Sequence, residues 1–327
     1  MNPMKFQPVL DEIVATLRPQ IAQCGQGEHH GKVASYIPAL ARVDARQFGI
    51  ALRTCEGEEA GAGDFETPFS IQSVSKLFTL TLAMQRMGDA LWERIGREPS
   101  GNPFNSLVQL ENEQGKPRNP FINAGAIAVA DRLVSQAKAS GPGADGGNGG
   151  NGAKDDILAL MASLCGEPIA FDDEVAQSEA DTGFRNVALA NFMKSFGKID
   201  NDVATVLDTY FHQCALRMSC RQLARAAAFL CRDGAHPIDG QPDVTGERQT
   251  RRINALMLTC GTYDAAGDVA FSIGLPCKSG VGGGIVAVVP DTLTLCVWSP
   301  ALDATGNSLL GMKALELFVA RTGLSVF

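Results

Sequence analysis

The sequence predicts an α+β fold: an antiparallel sheet flanked by N- and C-terminal helices, with a mostly helical lobe beside it. Three observations predict it. Strand signals stand near both ends of the chain, in residues 43–54 and 284–297. Helical periodicity dominates the middle, residues 155–231. Amphipathic helices open and close the chain, so the strands of both ends can meet in one sheet.

The elements follow in order. Leu10, Ile13, Val14 and Leu17 recur at helical spacing and predict the opening helix, which Pro19 should end or begin to lead out of. Phe48, Ile50 and Leu52 alternate within 43–54, which reads as a strand. Residues 73–87 and 124–137 read as helices, the first mostly buried. Residues 140–153 (SGPGADGGNGGNGA) carry almost no apolar surface to offset the entropy of ordering, so a flexible insertion is expected there. Ile157, Leu160, Met161 and Leu164, then Leu223, Ala227 and Leu230, continue the helical pattern. The β-branched run 284–289 and the alternating Leu293, Leu295 and Val297 flank Pro290 and Asp291, which predicts a hairpin. A last helix is expected over 308–321, with Leu309, Met312, Leu315 and Val319 on one face. We expect one domain of 327 residues with two subdomains: a sheet lobe (about 1–70 and 255–327) and a helical lobe (about 71–254).

Bulk properties exclude several classes. With 45% hydrophobic and 20% charged residues the chain can bury a large core. A net charge of −8 without a Lys/Arg block argues against nucleic acid as a partner. No stretch is long and apolar enough to span a bilayer, so no membrane partner is expected. Asp11 and Glu12 interrupt the N-terminal apolar stretch, which lacks a signal-peptide core, so a cytoplasmic location is expected. The nine cysteines are scattered, without a CxxC pair; Cys214, Cys220, Cys231 and Cys260 read as reduced core residues. The four histidines offer no convincing ligand spacing, so neither metal nor organic cofactor is expected.

Two segments carry chemistry. In FSIQSVSK at 69–76, Ser73 and Lys76 stand one helical turn apart on the same face. A serine hydroxyl needs a base to take its proton, and a buried lysine with a depressed pKa can be one. Alone, SxxK is very weak, since serine and lysine are common and a polar helix turn is by far the better explanation. Lys278, Ser279 and Gly280 then open a Gly-rich run into the late strands. A KSG strand beside an SxxK helix is the arrangement of the penicillin-recognising serine acyl-enzymes. There a strand edge supplies a backbone N–H to an oxyanion hole and glycines admit substrate to the backbone.

Longer stretches then resemble one family, the serine-dependent bacterial-type glutaminases, which have a β-lactamase/DD-peptidase-like fold. They are GKVA at 31–34, YIP at 36–38, IQSVSK at 71–76, EPSG at 98–101, PFNS at 103–106 and NPFINAGA at 119–126. SE at 178–179, TGFRN at 182–186, DTYF at 208–211, QC at 213–214, MLTCG at 257–261, YD at 263–264, LP at 275–276 and KSGVGGG at 278–284 complete the collinear set. The resemblance implies hydrolysis of L-glutamine to L-glutamate and ammonia through a γ-glutamyl-serine intermediate. It implies Ser73 as nucleophile, Lys76 as proton acceptor, and an oxyanion hole from the backbone N–H groups of Ser73 and Val281. Lys278 and Tyr210 join the catalytic set. Tyr36, Gln72, Asn123, Glu179, Asn186, Tyr210 and Tyr263 match substrate-binding positions. It also implies a homo-oligomer, dimer or tetramer. Glu179 suits the substrate ammonium, and Asn123, Asn186 and a tyrosine hydroxyl suit its carboxylate and amide.

From the residues alone, Asn123 also fits a helix N-cap, Glu179 a surface carboxylate, Asn186 a turn or cap, and Tyr210 plain core. The chain has only three tyrosines, all at pocket positions of the family. Two features depart from the pattern: the Gly-rich insertion is longer, and the segment before Gly31 matches weakly. Two rivals share the machinery. A β-lactamase-like enzyme would hydrolyse nitrocefin, but the chain lacks Tyr-x-Asn. A binding protein would take ligand without releasing ammonia, but would have no need of Ser73, Lys76 and Lys278.

Overall fold

The computed structural model describes residues 6–101, 105–139 and 152–327. The chain opens with helix α1 (Gln7–Ile21), then strands β1 (Gly49–Thr54), β2 (Glu59–Gly63) and β3 (Phe69–Ser70). Helices α2 (Ser75–Met87), α3 (Leu107–Asn112), α4 (Asn123–Ala139) and α5 (Gly152–Cys165) follow. Strand β4 (Ala170–Phe171) precedes α6 (Asp173–Thr182), α7 (Phe184–Ser195) and α8 (Val203–Cys214). Then come β5 (Leu216–Met218), α9 (Cys220–Ala227), α10 (Glu247–Cys260) and α11 (Ala266–Ser272). Strands β6 (Cys277–Ser279), β7 (Gly284–Val289) and β8 (Leu293–Trp298) lead into α12 (Leu309–Thr322).

One antiparallel sheet has the order β2-β1-β8-β7-β6, so strands from both ends of the chain meet in it. It is buried on both faces. Ile50 and Leu52, Ile285 and Ala287, and Leu295 and Val297 point to the side of α1 and α12. There Leu10, Ile13, Leu17, Leu315 and Phe318 meet them, and Phe6 stacks on Phe318 at 6.2 Å. Val286, Val288, Cys296 and Trp298 alternate to the other face and join the core of the helical middle. Two buried faces explain why β7 reads as a continuous apolar run rather than an alternation. A second small sheet, β3-β5-β4, lies among the helices. Trp298 links the layers: its indole stacks on Phe69 at 4.7 Å and donates to the Gly282 carbonyl at 3.0 Å.

Several expectations need correction. Pro19 does not stop α1 outright but stands in its last turn, and the helix ends two residues later at Ile21. The N–H that proline lacks would have bonded the carbonyl of Ala15, an exposed residue that water can serve instead. The first strand begins at Gly49, not at 43. Leu40–Arg42 is a 3-10 turn, and the Asp44 carboxylate then accepts from both the backbone and the guanidinium of Arg46, forming a local turn. Strand β2 (EAGAG) has no large side chain to signal it, and β3, β4 and β5 are two or three residues each. The helix expected from 73 starts at Ser75, after a 3-10 turn over Gln72–Val74. Of the Gly-rich stretch 140–153, residues 140–151 lie outside the described residues, while Gly152 and Ala153 already belong to α5. The hairpin and the last helix stand where expected, with Ser308 capping α12 through Gly311 N.

Candidate active site

Ser73 sits in the 3-10 turn that bridges β3 and α2. Gln72, just before it, is held at φ +50, a conformation L side chains rarely adopt. The turn is tied from both sides: Ser75 Oγ donates to the Gln72 carbonyl at 2.7 Å, and Gln72 Nε2 donates to Ser70 Oγ at 3.0 Å. Lys76 lies in the first turn of α2 and is buried. Its Nζ donates to Asn123 Oδ1 at 2.7 Å and to the Phe121 carbonyl at 3.2 Å. Asn123 in turn donates through Nδ2 to Asn186 Oδ1 at 3.0 Å. Asn123 is therefore the hub of a buried polar chain. The capping work before α4 falls to Asn119, whose Oδ1 accepts from the N–H groups of Phe121 and Ile122.

Ser73, Gln72, Asn123 and Asn186 line a cleft of about 220 Å³, while Lys76 is buried beneath it and is not among the lining residues. Of the residues expected at the site, the cleft brings together Tyr36, Gln72, Ser73, Asn123, Glu179, Asn186, Tyr210 and Val281. Glu179 is 7% exposed and Asn186 9%, so neither is a surface residue. Tyr210 is buried and still faces the cleft, so packing and lining coexist there. Tyr36 stands at the rim, 59% exposed.

Tyr263 and Lys278 sit behind the serine rather than along the cleft. Tyr263 hydrogen-bonds Ser73 and donates to the Ser279 carbonyl at 3.3 Å. Its backbone is at φ +58, the second non-glycine residue near the serine in this strained region. Lys278, on the edge strand β6, is fully buried and donates to the carbonyls of Gly261 and Ser279. The loop after β6 presses against the serine turn. A Cβ at Gly280 would stand 2.7 Å from Ile71 O and 3.0 Å from Ser73 N, and one at Gly282 would stand 2.2 Å from Ser70 O. Only glycine lets the loop at 280 and 282 approach the serine turn so closely.

Burial dominates the electrostatics. It strips water from Lys76 and lowers its pKa to about 8, although Cys214 and Glu179 oppose the shift. Burial likewise raises Glu179 to about 7 against a hydrogen bond from Gln72 and the charge of Lys76. Tyr263 is pushed up to about 12 by burial, with its Ser73 hydrogen bond pulling the other way. Burial also pushes Lys278 well down, with Lys76 adding repulsion.

The sequence reading missed some cleft residues. Cys214, read as core, is buried and also lines the cleft, where its thiol meets Tyr210 and Ser75. Asn105, Thr182, Gly183 and Arg185 line it too. All four lie in the PFNS and TGFRN stretches, so position within a matched motif was the signal available. His236 is structural: it pairs with Ser163 Oγ and accepts from Ile238 N. Among the described residues no three His, Cys, Asp or Glu side chains group as metal ligands, and all nine cysteines are free thiols. Among them, too, no helix is long and apolar enough to cross a membrane.

A two-face-buried antiparallel sheet, with terminal helices on one side and a helical lobe holding a polar cleft on the other, is the β-lactamase-like α+β fold. Its cleft here is that of an amidohydrolase. The Glutaminase family matches residues 31–327, and the chain belongs to that family. A glutaminase of Methylorubrum extorquens (strain PA1) is 54% identical over 321 residues, covering 98% of this chain and 99% of the relative. The probable glutaminase ybaS superposes with a TM-score of 0.89 at 35% identity, covering 100% of this chain and 99% of that one. The Bacillus subtilis glutaminase YbgJ superposes with a TM-score of 0.82 at 31% identity, covering 98% and 99%. That structure is a covalent complex with 5-oxo-L-norleucine, formed by reaction with 6-diazo-5-oxo-L-norleucine.

Proposed function

We propose that the chain hydrolyses L-glutamine by double displacement through a γ-glutamyl ester on Ser73. The Ser73 hydroxyl attacks the side-chain amide carbon and gives its proton to Lys76. The backbone N–H groups of Ser73 and Val281 hold the oxyanion. Ammonia leaves after protonation, with the Tyr263 phenol as the proton relay beside Ser73. Water then attacks the ester, releasing glutamate and restoring the serine. Glu179 holds the substrate ammonium; Asn186, Tyr210 and Tyr36 bind its other polar groups.

The observation that carries this reading is the state of Lys76. A neutral amine has two N–H donors and one lone pair. Asn123 Oδ1 and the Phe121 carbonyl take the two donors, which leaves the lone pair for the Ser73 proton. A pKa lowered to about 8 keeps a useful fraction in that neutral form near neutrality. That the Bacillus subtilis relative forms a covalent complex with 5-oxo-L-norleucine supports a nucleophilic mechanism.

The test follows ammonia release from L-glutamine and L-asparagine, with Ser73→Ala in parallel. Release from glutamine, little from asparagine and none from the variant is expected. In addition, 6-diazo-5-oxo-L-norleucine should leave its adduct on the peptide containing Ser73. An adduct elsewhere, or near-normal turnover by Ser73→Ala, would remove the serine mechanism.

A further inference from the structure

Lys278 combines full burial with contacts that never reach the cleft. Its Nζ donates to the Gly261 carbonyl at 3.0 Å and to the Ser279 carbonyl at 2.5 Å. It also lies 4.8 Å from the centre of the Tyr263 ring and 5.7 Å from that of Phe121. Each contact bears on a part of the proposed machinery. Gly261 is two residues before Tyr263. Ser279 is two residues before Val281, and its carbonyl also accepts from the Tyr263 hydroxyl. Phe121 supplies the carbonyl that holds Lys76. One amine therefore ties together the segments that deliver the phenol, the oxyanion donor and the lysine base.

Tyr263 needs such a tie. A non-glycine residue at φ +58 is strained and persists only where its surroundings over-determine it. The bonds from Lys278 to Gly261 and Ser279 bracket Tyr263 from both sides, and the face of the ring is packed by the amine itself. Lys278 is fully buried, does not line the cleft, and packs its amine against the Tyr263 ring.

We propose that Lys278 is a positioning residue that acts on the reaction through Tyr263, holding the phenol against Ser73, and exchanges no proton with substrate. This rests on the glutaminase reading above and refines it, since the KSG lysine then stands outside the proton relay.

A double-mutant cycle on the full chain tests it, with kcat and KM for glutamine read separately. Lys278→Met fills the same volume without the donors, and Tyr263→Phe removes the hydroxyl. Each single variant should lower kcat about 100-fold, the scale of one proton-relay group, with KM within about threefold of wild type. Adding Lys278→Met to Tyr263→Phe should then lower kcat less than about threefold further, because the group it positions is already gone. Multiplying losses would overturn the proposal and place Lys278 in the chemistry independently. A rise in KM with kcat unchanged would also overturn it, as substrate binding. If Lys278→Met melts below the assay temperature, Lys278→Gln, which keeps one donor, replaces it and should show the same non-additive pattern. Wild-type protein that releases no ammonia from glutamine would instead remove the parent reading, and this inference with it.

Discussion

At the scale of single residues, Lys76 and Glu179 set the pH behaviour. Both are buried, and burial moves each toward its neutral form: the lysine down to about 8, the carboxyl up to about 7. The signs combine simply. Lys76 accepts a proton only when neutral, so its contribution grows as pH rises through about 8. In the proposed role of holding the substrate ammonium, Glu179 acts only when ionised, so its contribution would grow as pH rises through about 7. Each group's charge also favours the charged form of the other, a smaller effect than burial. We expect kcat/KM for glutamine to fall at least about tenfold between pH 8.5 and pH 6, measured as a pH–rate profile. A flat profile over that range would contradict the base role of Lys76. Replacing Glu179 by Gln keeps the size and the hydrogen-bonding group but removes the charge. Its signature should be a rise in KM of about 10–100-fold, the weight of one charge-assisted contact, with a smaller change in kcat.

At the scale of elements, the decisive contact is between the loop after β6 and the 3-10 turn before α2. Gly280 allows it, since any Cβ there would meet Ile71 O at 2.7 Å and Ser73 N at 3.0 Å. Neither neighbour is a flexible side chain that could swing aside. Gly280→Ala must therefore push the loop off the serine turn and, on the proposed mechanism, withdraw the Val281 N–H from the oxyanion hole. A loss of about 100- to 1000-fold in kcat is expected, the range measured when one such donor is removed. Far-ultraviolet circular dichroism should be unchanged, because the displacement is local. Near-normal kcat would mean that Val281 N–H is not part of the oxyanion hole.

At the scale of the whole molecule, two apolar layers clamp one sheet, and the cleft lies on only one side of it. The α1/α12 layer is remote from the serine, yet it fixes the sheet on which β6 hangs. Phe318 is fully buried there and stacks against Phe6. Phe318→Ala should destabilise the protein by about 3–5 kcal/mol through lost burial and the remaining cavity. Denaturant unfolding should show the drop, while kcat at low temperature stays within about twofold of wild type. A second anchor lies in the helical lobe. The Asp131 carboxylate is fully buried, pairs with Arg132 and accepts from the backbone of Asp200 and Asn201. Asp131→Ala leaves those backbone donors unpaired and Arg132 with only the half-exposed Asp200 as partner, and should destabilise by a similar ~3–5 kcal/mol.

The sequence by itself determined the elements that rest on local physics. The apolar stripes of α1 and α12, the buried run of β7, the alternation of β8 and the Ser73–Lys76 spacing are all written in side-chain periodicity. Much of the cleft was also legible, because its residues sit in motifs that match one family. What the sequence could not carry lies in long-range contacts. Strands of two or three residues, such as β3 and β4, have no periodicity to read and exist only through their pairing with β5. Pro19 looked like a stop signal, and only the exposure of the carbonyl it orphans lets α1 pass through it. Asn123 as polar hub, Cys214 as cleft wall and Lys278 behind Tyr263 depend on partners 47, 144 and 15–17 positions away: Asn123 on Lys76, Ser70 on the Cys214 carbonyl, Lys278 on Gly261. Tertiary structure decided these, since a side chain's partner is set by which elements pack together, and one chain's spacing records only the neighbours along its own turn or strand.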